Sequence, residues 1–214
     1  FAELSSGKKV IEYEEVVVGS NTMTFEEYIN LRILAFIIFV TNQGIVFDAI
    51  QKLLREQDID VFELYYGMLT NKKNSSGKTQ KVIEQFKQAT IDELWDSPQE
   101  LLENFQKDFE YKKLLNGEAG TNVLYHYKAV VISEYMDDWT EHVIEAARIL
   151  IKNSNNYNDE LENQFESVVN YCRGLSHNVL GQDRLDTNPE YEFEYDIPSW
   201  LSPKTNLKLD NFKL

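Results

Sequence analysis

Cysteine is nearly absent: among 214 residues only Cys172 carries a thiol. A single thiol cannot close an intramolecular disulfide, which excludes a disulfide-stapled secreted scaffold and leads us to expect a reducing, cytoplasmic setting. Basic residues are scarce as well, 21 Lys plus Arg against 36 Asp plus Glu, for a net charge of -15. Such a field repels phosphate backbones and anionic lipid heads, so neither nucleic acid nor a membrane is expected as a partner. No apolar run is long. The longest, Ile33 to Val40, falls far short of the ~20 residues that span a bilayer as a helix. The chain opens Phe1-Ala2-Glu3-Leu4, without an initiator Met, a basic leader or an apolar signal core, and we expect from this a piece of a longer protein. Four prolines and nine glycines are too few for collagen-like or low-complexity chains.

What is there is enough apolar side chain, 43% of residues with 13% aromatic, to fill a sizeable interior. A chain of this length buries about 70% of its unfolded surface, as one large domain or two small ones. Lys9 to Val18 mixes β-branched residues with alternating charge and reads as a strand with one apolar face, ended by the turn Gly19-Ser20-Asn21. Thr24 with Glu27 has capping-box spacing and opens a helix from Phe25 to about Thr41, whose second half is apolar nearly all round and predicts burial on every side. Gly44 breaks it, and the short connection predicts an antiparallel partner carrying Val46, Ile50, Leu53 and Leu54. Asp60 and Glu63 open a further helix, and Ser97-Pro98 with Glu100 another. Asn71 to Lys78 is a polar loop. Thr121 to Lys152 is helical throughout, as one helix or two, and Asp159 to Arg173 is a helix ended by Gly174.

The last residues change character, with Pro189, Pro198, Pro203 and the alternation Tyr191, Phe193, Tyr195, Ile197. The expected architecture is mainly α: an extended lead-in over 1–23, a multi-helix body over 24–180, and an extended tail over 181–214 packing on that body. The N- and C-terminal extended segments are expected to pair as a small sheet at one edge.

Motifs that could carry chemistry are sparse. Gly77-Lys78-Thr79 matches the end of a phosphate-binding loop, but Lys72 stands where that loop needs its first glycine. Asn74-Ser75-Ser76 is a formal glycosylation acceptor without meaning in a cytoplasmic chain. Glu134, Asp138, Glu141, His142 and Glu145 fall at helical spacings and would share one face of a continuous helix. A carboxylate–histidine stripe of that kind can hold metal when a facing helix contributes the same, and the alternative is a solvated acidic face. His126 lies between Tyr125 and Tyr127 and reads either as an acid–base group or as an ordinary helix residue. Cys172 reads as a buried structural thiol. Between Tyr157 and Asp196 acidic residues far outnumber Arg173 and Arg184, a concentration that suits a basic partner or a solubilising rim.

The stretch Glu12 to Gly44 resembles the segment that follows the catalytic barrel in bacterial radical SAM proteins of the cobalamin-binding, Fe-S oxidoreductase type. The matching positions are the Val- and Glu-rich Glu14 to Val18, the turn Ser20 to Thr24, the acidic helix start Glu26 to Tyr28, and the apolar Leu31 to Val40. Tyr195 to Leu201 is similar to the extended tail of those proteins. The resemblance contains no catalytic motif. It implies a non-catalytic C-terminal domain that packs on the barrel and covers or recruits substrate, with the missing upstream domain of the same chain as partner. A 4Fe-4S cluster, S-adenosylmethionine and cobalamin are then implied for the parent protein alone. The cluster requires a Cys-x3-Cys-x2-Cys loop, and the family's cobalamin motif Asp-x-His-x-x-Gly is also absent here. Two other readings stand beside it. One is a stand-alone adaptor module using a groove lined by Tyr65, Tyr66, Tyr125 and Tyr127; the other is a metalloenzyme built on Glu134 to Glu145. Trp200, if exposed, would mark the surface turned to the missing domain.

Overall fold

The computed structural model describes residues 1–42, 44–71, 77–177, 179, 190–203 and 207–214. The chain is mainly helical. A two-stranded antiparallel sheet, β1 (Ala2–Glu3) and β2 (Lys9–Val10), precedes α1 (Phe25–Thr41), α2 (Asp48–Glu56), α3 (Val61–Thr70) and α4 (Gly77–Asp92). Then come α5 (Pro98–Gln106), α6 (Asp108–Leu115), α7 (Val123–Val130), α8 (Met136–Lys152) and α9 (Asp159–His177), and finally the short α10 (Ile197–Leu201) and a 3-10 turn (Leu209–Phe212).

The helix starts are local chemistry. The Thr24 hydroxyl accepts from Glu27 N at 3.2 Å while the Glu27 carboxylate accepts from Thr24 N at 2.7 Å, a complete capping box. These bonds also hold the Glu27 carboxyl below its ordinary pKa. Asp60 accepts from Phe62 N, and Ser97 accepts from Glu100 N ahead of Pro98. Between α7 and α8 the helix does not stop. Val131–Tyr135 forms a π turn, so 123–152 is one helical run with an extra residue inserted in its middle.

One core holds the body together. α8 packs on α9 and α3, α1 on α3 and α4, and α2 on α9 and α8. Phe36, Phe86 and Trp139 meet at its centre, the two phenyl rings stacked at 4.3 Å and Trp139 edge-on to Phe36 at 5.5 Å. The tail enters the same core, where Tyr195, Ile197, Trp200 and Leu209 are buried. A separate small cluster of Phe105, Tyr111 and Leu114 joins α5 and α6 to the N-terminal hairpin through Ile11. Lys9 fastens it, its ammonium 2.6 Å from Asp108 and donating to the Gln106 carbonyl at 2.7 Å.

Several expectations are corrected by this packing. The terminal segments do not pair with each other among the described residues: β2 pairs with β1 through a turn at Gly7, and Tyr195 bridges to Lys213 within the tail. Beyond Val10 the lead-in is extended without a ladder. α1 is not buried all round. In its second half Ile33, Phe36, Ile37 and Val40 face inward but Ala35 is exposed, because α3, α4 and α7 cover the inner side only; Leu31, 55% exposed, lies in the wetter first half with Asn30 and Arg32. α2 lies on α8 and α9 rather than along α1. Gly174 does not end α9, which runs to His177. The glycosylation acceptor, Lys72 and Pro189 lie outside the described residues, as do parts of the 71–78 loop and of the 181–214 tail.

Candidate functional site

The carboxylate–histidine stripe is dispersed. The π turn changes the helical phase before Met136, and Glu134 is left exposed on it. Glu141 is taken by Arg173, which donates through Nε at 2.6 Å and a terminal nitrogen at 2.7 Å. Asp138 accepts from Lys78 at 3.3 Å, and Glu145 stands 4.0 Å from Arg148, which also binds Glu162 and Glu166. His142 turns away from all of them. Among the described residues no group of three or more His, Cys, Asp or Glu could hold a metal ion, and the stripe is accordingly a set of internal ion pairs. The acidic face of α9 is spent in the same way, on Arg148 and, through Glu160, on Tyr195 and Lys213.

The interaction candidates also separate. Tyr65 is buried and donates to Asn42 Oδ1 at 3.1 Å. Tyr66 is exposed and stacked on Phe62. Tyr125 packs edge-on to Phe39, Tyr127 edge-on to Phe86, and the exposed His126 against Tyr127. With different partners in different layers, they do not line one groove. Trp200 is fully buried and marks no exposed surface; its indole donates to Glu56 Oε1 at 2.8 Å. Gly77-Lys78-Thr79 is the first turn of α4, with Thr79 buried and Lys78 tied to Asp138, and the loop positions before it lie outside the described residues.

Cys172 is fully buried, and burial pushes its thiol pKa up to about 12. It is a packing group rather than a nucleophile. We expect no reaction with a thiol reagent under native conditions and full reaction in urea, at a rate set by unfolding; rapid native labelling would contradict this burial.

Two clefts remain. A polar one of about 430 Å³ lies beside the α8–α9 seam and is lined by the ion-paired Asp138, Glu141 and Arg173. The other, of about 810 Å³, has mixed apolar and polar lining. It exists because α3 and α4 each pack on α1 and α8 with little direct contact between themselves. Ile33, Ile37, Met68 and Ile83 line it together with Tyr66 and the charged Lys81, Glu84 and Lys87. Its size falls within the roughly 300–1,000 Å³ of small-molecule pockets.

His142 reaches this cleft from α8 and is only 3% exposed. Its Nε2 lies 3.1 Å from the Met68 carbonyl, so Nε2 carries the proton and donates. Nδ1 is then an acceptor, and it has no hydrogen-bond partner. Burial lowers the His142 pKa from the ordinary 6.5, offset in part by the Met68 bond. The unfolded chain therefore takes up this proton as pH falls through 6.5 while the folded chain does not, and stability declines with acidity from there down to the folded pKa. We expect the urea midpoint to fall more steeply between pH 7.5 and 5 in the native protein than in His142→Gln. Equal slopes would mean that the ring titrates as freely folded as unfolded.

Of these cleft residues the sequence drew attention to Tyr66, as part of a tyrosine-lined groove that does not form, to Gly77 in the Gly-Lys-Thr run, and to His142 for a different face of α8. The walls come from three helices separated by loops, and no local spacing announces them. No family model matches the chain, and no curated protein or solved structure does either.

Proposed function

We propose that the chain is a non-catalytic helical accessory domain of a larger enzyme of the radical SAM, cobalamin-binding, Fe-S oxidoreductase type, packing on the catalytic barrel and covering or recruiting its substrate. The observation that supports this is the apolar surface on the segment carrying the resemblance. Tyr13, Val16 and Val17 of the extended lead-in are exposed, Val17 to 73%, and Phe25 and Leu31 continue the exposure onto α1. Apolar side chains so concentrated on one stretch suit a protein partner. The residues here do not fit an iron–sulfur cluster: Cys172 is the sole cysteine, buried and held as a thiol, where a cluster takes several thiolates. Cluster, S-adenosylmethionine and cobalamin would belong to the upstream part of the protein. Translating the coding DNA upstream of Phe1 tests this. Cys-x3-Cys-x2-Cys in frame supports it, and a start codon within a few residues overturns it.

A second reading, a helical binding module acting on its own, is favoured by the cleft lined by Ile33, Met68, Ile83 and His142. Among the described residues no helix is long and apolar enough to cross a membrane.

A further inference from the structure

We propose that the residues preceding Phe1 continue β1 and pair antiparallel with Glu12 to Val18, so that the N-terminal hairpin lengthens into a ribbon leading to the upstream domain. The inference rests on the accessory-domain reading in one respect, that chain continues upstream of Phe1; the register decides where its last residues lie. Ala2 stands opposite Val10 and Glu3 opposite Lys9. Continued, this register sets Phe1 opposite Ile11, and both side chains meet the same surface. The Phe1 ring lies edge-on to Tyr111 at 6.1 Å, and Ile11 packs on the cluster of Phe105, Tyr111 and Leu114. Each residue after Ile11 is then opposed by one before Phe1: the residue just before it faces Glu12, the third before it faces Glu14, and the seventh faces Val18.

The segment left without a partner has the composition of a strand. Tyr13, Val16, Val17 and Val18 favour pleated backbone, yet the chain from Glu12 to Val18 makes no backbone hydrogen bond among the described residues. Glu12 to Val17 are all exposed, and an unpaired run of β-formers is a template for a further strand. The edge that would bond is also set. Leu4 N donates to the Lys8 carbonyl at 2.9 Å, and pairs alternate along an antiparallel ladder, so Val10, Glu12, Glu14, Val16 and Val18 turn their N–H and C=O groups toward the incoming strand. Odd-numbered residues turn theirs away, as Lys9 already does: its carbonyl accepts from Gln106 Nε2 at 3.0 Å.

The test compares the 214-residue chain with the same chain extended by about ten of its native upstream residues, both labelled for amide exchange by NMR. In the extended chain Glu12, Glu14 and Val16 should exchange about tenfold or more slowly, with Tyr13, Glu15 and Val17 left fast. An Hα–Hα Overhauser contact should link Tyr13 to the second residue before Phe1, since that pair is non-hydrogen-bonded and closely spaced. Val16→Pro costs the 214-residue chain no hydrogen bond; it should leave that chain's melting temperature unchanged and remove the Glu14 protection in the extended one. Fast exchange throughout Glu12 to Val17 in the extended chain overturns the proposal. So does protection on the odd-numbered residues, protection of Glu14 that survives Val16→Pro, or protection that grows with concentration in the 214-residue chain, which would give the segment to a second copy. Each of these leaves the accessory-domain reading standing where Cys-x3-Cys-x2-Cys is found upstream. An upstream chain that lacks that motif overturns that reading and not the ladder, and a start codon within a few residues of Phe1 overturns both.

Discussion

Trp200→Ala is expected to cost about 3–5 kcal/mol, a large share of the roughly 5–15 kcal/mol that holds a domain folded. The residue lies in the C-terminal tail, far from the helical body in sequence, yet its side chain is fully buried in the body's core. Three interactions add to that burial. The indole donates to Glu56 Oε1 at 2.8 Å, the Lys52 ammonium lies 4.8 Å from the ring centre, and the same ammonium donates to the Trp200 carbonyl. Glu56 also accepts from Leu209 N at 3.2 Å, so a single α2 carboxylate ties both short turns of the tail. Trp200→Phe separates the contributions: it retains most of the packing, leaves the Glu56 carboxylate short of one donor, and should lose about 1–3 kcal/mol. Urea unfolding monitored by circular dichroism reads both. An unmoved midpoint in the alanine variant would mean that the tail is an appendage and not part of the core.

How much of this was legible beforehand depended on the range of the physics. Thr24, Asp60 and Ser97 were readable as helix starts because a cap is decided within four residues, and each acts as one. The mainly helical body followed from apolar spacing that is likewise local. Ala35 shows where such reasoning stops. On an apolar helix, spacing cannot say which side the neighbours cover, and only the positions of α3, α4 and α7 leave that residue outside. Strand pairing failed for a related reason: Ser5-Ser6-Gly7 closes a local turn, with Gly7 at a φ of 78°, that brings Ala2 against Val10 before any distant partner is needed. The metal stripe failed because helical spacing assumes a regular helix with free carboxylates. A π turn re-phases one end, and Lys78 and Arg173, each from another helix, occupy Asp138 and Glu141. The larger cleft lay beyond reach altogether, since it is a gap between helices rather than a property of any one.

The presence of two unequal cores leads to the second large effect. Trp139→Ala should cost about 3–5 kcal/mol, because the indole is fully buried between α8 and α1, edge-on to Phe36 and donating to Thr41 Oγ1 at 3.4 Å. Phe36 in turn stacks on Phe86, so the void opens where α1, α4 and α8 meet and no side chain can swing in to fill it. The loss should appear in every probe of the body at once. Phe105→Ala is the contrasting case. Its ring sits in the small cluster with Tyr111 and Leu114, which is joined to the N-terminal hairpin and separate from the main core. That cluster should open by itself, with faster amide exchange across α5, α6 and the hairpin and little change in α8. Hydrogen exchange on the two variants distinguishes the cases. If Phe105→Ala accelerates α8 as much as α6, the two clusters unfold as one cooperative unit; if Trp139→Ala spares α9, the main core is itself divided.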